Sequence, residues 1–317
     1  HNVVLKDMEL SLGVFNKKNF INQSALVDGV MYRLLIDAAD RAENKLTVVL
    51  ADSVTYDTTL PVFLDVVPAA GGYVNSAVLQ LTNSEILQAG SVTWLRTDGE
   101  ADGGSPHTMD IPAEYFGSGP QETINIAAPN LVNGTIYQLT LNGTDKAGNI
   151  SVTTVLDNVH FDTEAPAVVI IYPPDRPAIN NTDVGYELSE HLREATFTYT
   201  WLSGPEDSGS PHTLNLDPKK LQENTVNRYP LSPAPFLIDG AMYKIEFSGN
   251  DRAGNIGNVD VRESILYDIT KPIITMLIPA PDKVIIGQKI SYSISEDLEE
   301  GSLTWVRSGG NSDDNAP

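Results

Sequence analysis

Asn133-Gly134-Thr135-Ile136-Tyr137-Gln138-Leu139-Thr140-Leu141-Asn142-Gly143-Thr144-Asp145-Lys146-Ala147-Gly148-Asn149 is the stretch that decides how this chain reads. Its centre alternates apolar and polar side chains, as a strand with one buried face does, and both ends carry turn residues. The same frame, (Asp/Asn)-Gly-x-x-Tyr followed by Asp-(Lys/Arg)-Ala-x-Asn, occurs again on either side. Its tyrosines are Tyr32, Tyr137 and Tyr243, and its turns are Asp40–Asn44, Asp145–Asn149 and Asp251–Asn255, in steps of 105 and 106 residues. Further out, Asp-x-x-x-Pro recurs with the same steps at Asp57–Pro61, Asp162–Pro166 and Asp268–Pro272. A Ser-Glu pair follows each of these aspartates by 27 residues, at Ser84-Glu85, Ser189-Glu190 and Ser295-Glu296. The three tryptophans, Trp94, Trp201 and Trp305, read as another marker of the period. A fixed period of this length means tandem modules.

Within one period, from Asp57 to Phe161, short apolar or alternating runs fall at 62–67, 74–82, 92–95, 123–126, 137–141 and 152–155. Gly, Pro, Asn and Asp bound them, and no segment sustains a helical period, although Ser84–Gly90 could make one turn. Six or seven short strands per repeat predict an all-β fold of tandem Ig-like β-sandwich modules. The tryptophan is expected on the third strand, against the core. The tyrosine is expected to form a tyrosine corner before the sixth strand, its hydroxyl bonded to nearby backbone. The organisation predicted is 57–161 and 162–267 as whole modules, 1–56 as the second half of a module, and 268–317 as the first half of another.

The pattern Asn133-Gly134-x-x-Tyr137, Asp145-Lys146-Ala147-Gly148-Asn149, Asp162-x-x-x-Pro166 resembles the tandem bacterial Ig-like repeats of large surface and secreted proteins, over the whole chain. The resemblance implies an extracellular or cell-surface location and a role as spacer, adhesin or accessory module, without enzymatic activity. Asp40-Arg41-Ala42-Glu43-Asn44 departs from the pattern, with Glu43 where the other turns have glycine. If that position takes a positive φ, Glu43 is strained there.

Asp and Glu number 42 against 20 Lys and Arg, a net charge of −22. Such a surface repels phosphate backbones, which excludes nucleic acid as a partner, and favours cations. With no cysteine, disulfides, thiolate metal sites and cysteine nucleophiles are excluded. No apolar run approaches the roughly 18 residues of a membrane span. Of the histidines, His1, His107 and His212 share one repeat position. They are expected to start strands and bond the nearby acidic loop, not to catalyse. Neither a phosphate-cradling glycine loop nor a zinc spacing is present, so no enzyme is predicted.

Two sets of oxygen ligands recur with the period: Asp57, Glu85, Asp145 and Asn149, then Asp162, Glu190, Asp251 and Asn255. In an Ig-like topology each set gathers at one end of a sandwich, and calcium, which takes six to eight oxygens, is the cation it suits. The competing reading is turn chemistry: Asp-x-x-Gly-Asn is also a good hairpin turn whose side chains bond their own backbone. A second acidic group, Asp98, Glu100 and Asp102, repeated as Glu206 and Asp207 and as Asp313 and Asp314, reads as a solvated loop. Tyr115-Phe116 is the one hint of an exposed aromatic platform.

These readings favour a structural repeat protein forming a stalk, fibre or filament. A glycan- or cell-binding adhesin region is the alternative, and a non-catalytic segment of a secreted polysaccharide-degrading enzyme is a third. Ser105-Pro106-His107 and Ser210-Pro211-His212 occupy equivalent places, and His1 and Pro317 continue that series. The two half-modules are therefore expected to complete each other head to tail, with Pro317 of one copy beside His1 of the next. A continuous longer chain is favoured over separate subunits joined by strand complementation.

Overall fold

The computed structural model describes residues 4, 25–124, 129–175, 178–222 and 224–311. Residues His1 and Pro317, with the expectation that they adjoin, lie outside these, as do Asp313 and Asp314. The described residues contain strands, turns and two 3₁₀ turns, at Ala113–Tyr115 and Lys220–Gln222. No helix among them is long and apolar enough to cross a membrane. The chain divides into two compact units, residues 1–167 with 189–194 and 249–258, and residues 168–188, 195–248 and 259–317.

The first unit opens on an antiparallel hairpin, β1 (Met31–Ala39) and β2 (Lys45–Thr55). A sandwich follows, built from β3 (Phe63–Val67), β4 (Tyr73–Val74), β5 (Leu79–Asn83), β6 (Leu87–Gly99), β7 (His107–Asp110), β8 (Gly119–Ile124), β9 (Thr135–Asp145) and β10 (Thr154–Phe161). One sheet has the order β3-β5-β8 and the other β4-β10-β9-β6-β7. Strand β9 is the quoted stretch, and its burial alternates without a break from Thr135 to Asp145. The side chains that face inward, among them Trp94, Leu79, Ile124, Tyr137 and Leu139, have no accessible surface. Gly143 sits on this inward face because a Cβ there would come within 2.9 Å of the Phe63 ring. The sequence ran β4 and β5 together as one strand at 74–82. Strand β7 begins at His107, as expected of that histidine, but its four residues show no pattern of their own, and it pairs with β6 through Trp94 opposite His107.

A second sandwich repeats the plan with β11 (Val168–Tyr172), β12 (Ala178–Ile179), β13 (Asp183–Leu188), β14 (Leu192–Ser203), β15 (His212–Asn215), β16 (Thr225–Pro230), β17 (Met242–Asp251) and β18 (Asp260–Tyr267). Its sheets are β11-β13-β16 and β12-β18-β17-β14-β15. Phe197 and Phe247 stack at 4.4 Å in the core, with Tyr186 tilted against Phe247 at 5.0 Å. A final hairpin joins β19 (Ile274–Ile278) to β20 (Ser291–Ile294). The fold is all-β, made of Ig-like sandwiches in tandem.

The tryptophan marker needs correction. Trp94 is fully buried opposite His107, but in the second sandwich the residue opposite His212 is Tyr199, and it is Tyr199 that is fully buried. Trp201 stands two residues further along β14, half-buried, where the first sandwich has Arg96: the backbone N–H of each donates to a serine hydroxyl, Ser105 or Ser210. The core position is therefore held by Trp94 and Tyr199, and the repeat spacing gives Trp305 as their counterpart. Trp94 and Tyr199 share a cost of the same kind, since Trp94 Nε1 and Tyr199 Oη are buried without a hydrogen-bond partner. A buried hydroxyl without a partner costs about 1–3 kcal/mol. Tyr199→Phe is accordingly expected to stabilise the second sandwich by about 1 kcal/mol, read as a shift in its urea midpoint.

Candidate metal centre

The Asp-(Lys/Arg)-Ala-x-Asn turn closes the end of β9. Asp145 Oδ1 accepts the backbone N–H groups of Ala147, Gly148 and Asn149 at 2.8, 2.7 and 2.8 Å. Asp145 Oδ2 accepts Asn149 Nδ2 at 2.7 Å. Gly148 has φ 93° with open space around it, so the turn demands a backbone state and not a small volume. Glu43 holds the same position in the first hairpin at φ 65°, the strained arrangement the sequence anticipated.

The Asp-x-x-x-Pro linker is fixed from two sides. Asn149 Nδ2 also donates to the carbonyl of Asp57 at 3.2 Å. Asp28, the first residue of the Gly-x-x-Tyr frame, accepts the hydroxyls of Thr58 and Thr59 at 2.9 and 2.7 Å. Ser84 Oγ, from the Ser-Glu pair, accepts the N–H of Val62 at 2.8 Å. The Asp-x-x-x-Pro linker, the Ser-Glu pair and the Asp-x-Ala-x-Asn turn thus meet at one end of the sandwich, with Asp28 of the preceding frame. The meeting brings Asp57, Glu85 and Asp145 together, with one carboxylate oxygen of each within 4.8 Å of the others.

The next repeat rebuilds the arrangement within the same compact unit. Asp162, Glu190 and Asp251 gather within the same 4.8 Å limit. Asn255 Nδ2 donates to Asp251 Oδ2 at 2.6 Å and to the Asp162 carbonyl at 2.9 Å. Asn149 and Asn255 thus turn amide N–H groups towards the carboxylates, and the amide oxygen of Asn255 accepts from Asn75 at 3.1 Å. As placed, the two asparagines brace the acids and the carboxylates supply the oxygens. The loop carrying Asp251 is held further by Arg252, which lies 4.5 Å over the Tyr73 ring and donates to its hydroxyl at 3.0 Å.

The electrostatics differ among the carboxylates. Burial acts to raise Asp145, but the hydrogen bonds from Asn149, Gly148 and Ala147 outweigh it and hold this carboxyl below its ordinary value. Nothing comparable serves the glutamates. Burial, then the charges of Asp57, Asp145 and Asp28, pushes Glu85 up, and its Oε1 is buried without a partner. Burial, then Asp162, Asp251 and Glu164, pushes Glu190 up to about 7. Each cluster is thus a set of carboxylates with one member short of stabilisation, which a divalent cation would supply.

A second polar constellation was read from the sequence as a solvated loop, and the structure corrects that. The Asp102 side chain is buried, and its Oδ2 accepts the Tyr137 hydroxyl at 2.7 Å and lies 2.7 Å from His107 Nε2. Tyr137 Oη in turn accepts the N–H of Val132 at 2.9 Å, the expected tyrosine corner. Asp207, Tyr243 and His212 repeat the network, with Ile238 supplying the N–H. The signal was available: an aspartate stands five residues before the Ser-Pro-His histidine in both repeats. Asp98, at the end of β6, and Glu100, which follows it, remain exposed. Tyr115 and Phe116 are also corrected. They are partly buried against the hydrophobic core, beside a 3₁₀ turn whose counterpart buries Leu221, and make no exposed platform.

No family model matches the chain, and no curated protein matches it. Among solved structures, it is 14% identical to the FN1–FN3 domains of chicken CNTN1, over 74% of this chain and 76% of that one, with TM-score 0.34. It is 11% identical to the fibronectin(III)-like modules of Clostridium thermocellum CbhA, over 66% and 94%, with TM-score 0.32. It is also 11% identical to an alpha-L-rhamnosidase of Streptomyces avermitilis, over 65% and 24%, with TM-score 0.21. Likenesses of this degree add nothing to the fold read from the sheets.

Proposed function

We propose that this chain is a structural segment of an extracellular or cell-surface protein, a stalk or filament of bacterial Ig-like modules continued head to tail, with calcium bracing the junctions. The observation that carries the reading is the recurrence of one three-carboxylate arrangement at successive linkers, each with a glutamate held above its ordinary pKa. A spacer needs the same joint repeated, and a ligand site in an adhesin needs one module to deviate. The packing of Tyr115 and Phe116 against the core removes the aromatic hint that the sequence offered for a glycan-binding adhesin. Asp57, Glu85 and Asp145 would hold one ion and Asp162, Glu190 and Asp251 the other, with waters completing the six to eight oxygens. His107 and His212 belong to the tyrosine-corner networks, so no catalytic role is assigned to them.

Calcium is expected to raise the melting temperature and chelator to lower it again, because an ion bound only by the folded state stabilises by mass action. The effect has a pH signature. A glutamate whose folded-state pKa is raised binds its proton more tightly when folded. The ion-free protein therefore loses stability as pH rises from the ordinary glutamate value to about 7, where Glu190 ionises beside its neighbours. Calcium should accordingly stabilise more at pH 8 than at pH 5. Calorimetry at both pH values checks this, and a melting curve indifferent to calcium and chelator at pH 8 rejects the cation site.

A further inference from the structure

The turn from Asp251 to Asn255 makes contacts that the repeat does not require. Arg252 lays its guanidinium over the Tyr73 ring, 4.5 Å from the centroid, and donates to the Tyr73 hydroxyl at 3.0 Å. The Tyr73 ring also stacks on the His160 imidazole, at 4.3 Å with 5° between the planes. Tyr73 and His160 are register partners across the parallel pair of β4 and β10, so the sheet itself fixes the surface that receives the guanidinium. Beside it, Asn75 Nδ2 donates to Asn255 Oδ1 at 3.1 Å. The same turn holds the linker: Asn255 Nδ2 donates to the Asp162 carbonyl at 2.9 Å, and a Cβ at Gly257 would come within 2.6 Å of the Pro166 carbonyl oxygen. All these residues belong to one compact unit.

The cation of this contact is periodic and its receiver is not. Arg41, Lys146 and Arg252 occupy the second position of the three turns. In the second sandwich, however, the register partners that correspond to Tyr73 and His160 are Ala178 and Leu266, and neither carries a ring. The stack is therefore an addition to the linker at Asp162–Pro166, absent from the surface that precedes the linker at Asp268–Pro272. The electrostatics explain what it offers there. Glu190 lies in the field of Asp162, Asp251 and Glu164, so linker and turn bring like charges together and repel when no cation is bound. A planar guanidinium on the turn, held by the face of an aromatic ring and by a hydrogen bond, opposes that repulsion without a metal.

We propose that Arg252, Tyr73 and His160 form a cation-independent clasp, which keeps the Asp251–Asn255 turn seated on the β4–β10 edge and the linker at Asp162–Pro166 closed when the carboxylates hold no ion. The inference goes beyond the calcium reading and does not need it. Tyr73 and His160 supply the flat receiver, Arg252 is the bolt, and the Asn75–Asn255 bond sets where the turn lands. The clasp acts on the linker through Asn255 and Gly257, which touch Asp162 and Pro166 directly. Releasing Arg252 frees the turn, and with it the contacts that shield the linker.

Limited digestion of the 317-residue chain by a glutamate-specific protease, in excess chelator at pH 8, tests this. Glu164 is exposed on the linker, and mass spectrometry follows cleavage after it. When opening is fast relative to cleavage, the rate tracks the open population. Loss of a cation–π contact at an exposed site should raise that rate about two- to fivefold in Arg252→Ala. Tyr73→Leu, which keeps apolar bulk and removes the ring, should do the same. The double variant should be cut no faster than either single one, because both remove one contact. Urea unfolding of each chain separates this local opening from unfolding of a sandwich. The Arg252 side chain is exposed, so Arg252→Ala leaves both cores intact and decides the matter even if Tyr73→Leu lowers the stability of the first sandwich. Cleavage unchanged in Arg252→Ala, or effects that add in the double variant with both sandwiches folded, would overturn the clasp. Repeating the digests with calcium reports on the carboxylates separately: protection by calcium can be absent while the clasp effect in chelator stands, so the two readings fail independently.

Discussion

Asp102→Ala is expected to destabilise the first sandwich by about 3 kcal/mol or more, one of the largest single-residue effects in the chain. The carboxylate is the shared acceptor of a buried network. Its Oδ2 takes the Tyr137 hydroxyl and His107 Nε2, both at 2.7 Å, and its Oδ1 takes the N–H of Gly104 at 2.9 Å. Removing it leaves the hydroxyl of a fully buried tyrosine without an acceptor and releases the loop that leads into β7. Asp102→Asn keeps the shape and one acceptor, and should cost about half as much. The pH dependence follows from the carboxyl group's own balance. Burial acts to raise it, but the hydrogen bonds from Tyr137, His107 and Gly104 and the His107 charge together hold it below its ordinary value. A lowered folded-state pKa gives stability that is complete above the unfolded carboxyl value and is lost as pH falls through the folded one. The gap between wild type and Asp102→Ala in urea unfolding should therefore be full at pH 7 and narrow below about pH 4.

What the sequence could reveal was set by which signals are local. Strand β9 was legible because one stretch carries its alternation, its tyrosine and its turn, and each of these reports a backbone state that few other residues tolerate. Asp57, Glu85 and Asp145 could be grouped because the period repeats them together and the sandwich topology carries their loops to one end. The histidine's bond to its acidic loop was expected, but the Tyr137 arm of the Asp102 network was missed, for the opposite reason. An aspartate in a Gly- and Ser-rich loop looks solvated until the tyrosine corner, 35 residues away, is folded over it. Strand β7 was foreseen only through its first residue, His107, because a four-residue edge strand takes its identity from the neighbour it pairs with, not from its own pattern. The roles of Asn149 and Asn255 depend on which amide atom faces the acids, and sequence carries no information about that.

Trp94→Ala and Trp201→Ala should have very different costs, although spacing alone would make the two residues equivalent. Trp94 is fully buried between the sheets, its ring edge-on to Tyr137 at 5.7 Å. Truncation there removes an aromatic side chain from a closed core and leaves a cavity the sheets cannot collapse, worth about 3–5 kcal/mol. Trp201 lies at the margin of its sheet, and its Nε1 donates to the Pro205 carbonyl at 3.0 Å. Arg96 and Arg307 make the same backward contact from the equivalent position with quite different side chains. A position that accepts either an indole or a guanidinium is selecting a donor, so Trp201→Ala should cost about 1 kcal/mol or less. Tyr199→Ala, at the true counterpart of Trp94, should match Trp94→Ala. Denaturant unfolding followed by circular dichroism, with the two sandwiches resolved by which transition moves, measures all three. Equal costs at Trp94 and Trp201 would restore the tryptophan series as the core marker. A large cost at Trp94 and Tyr199 with a small one at Trp201 assigns the core position to whichever residue stands opposite the histidine of the short strand.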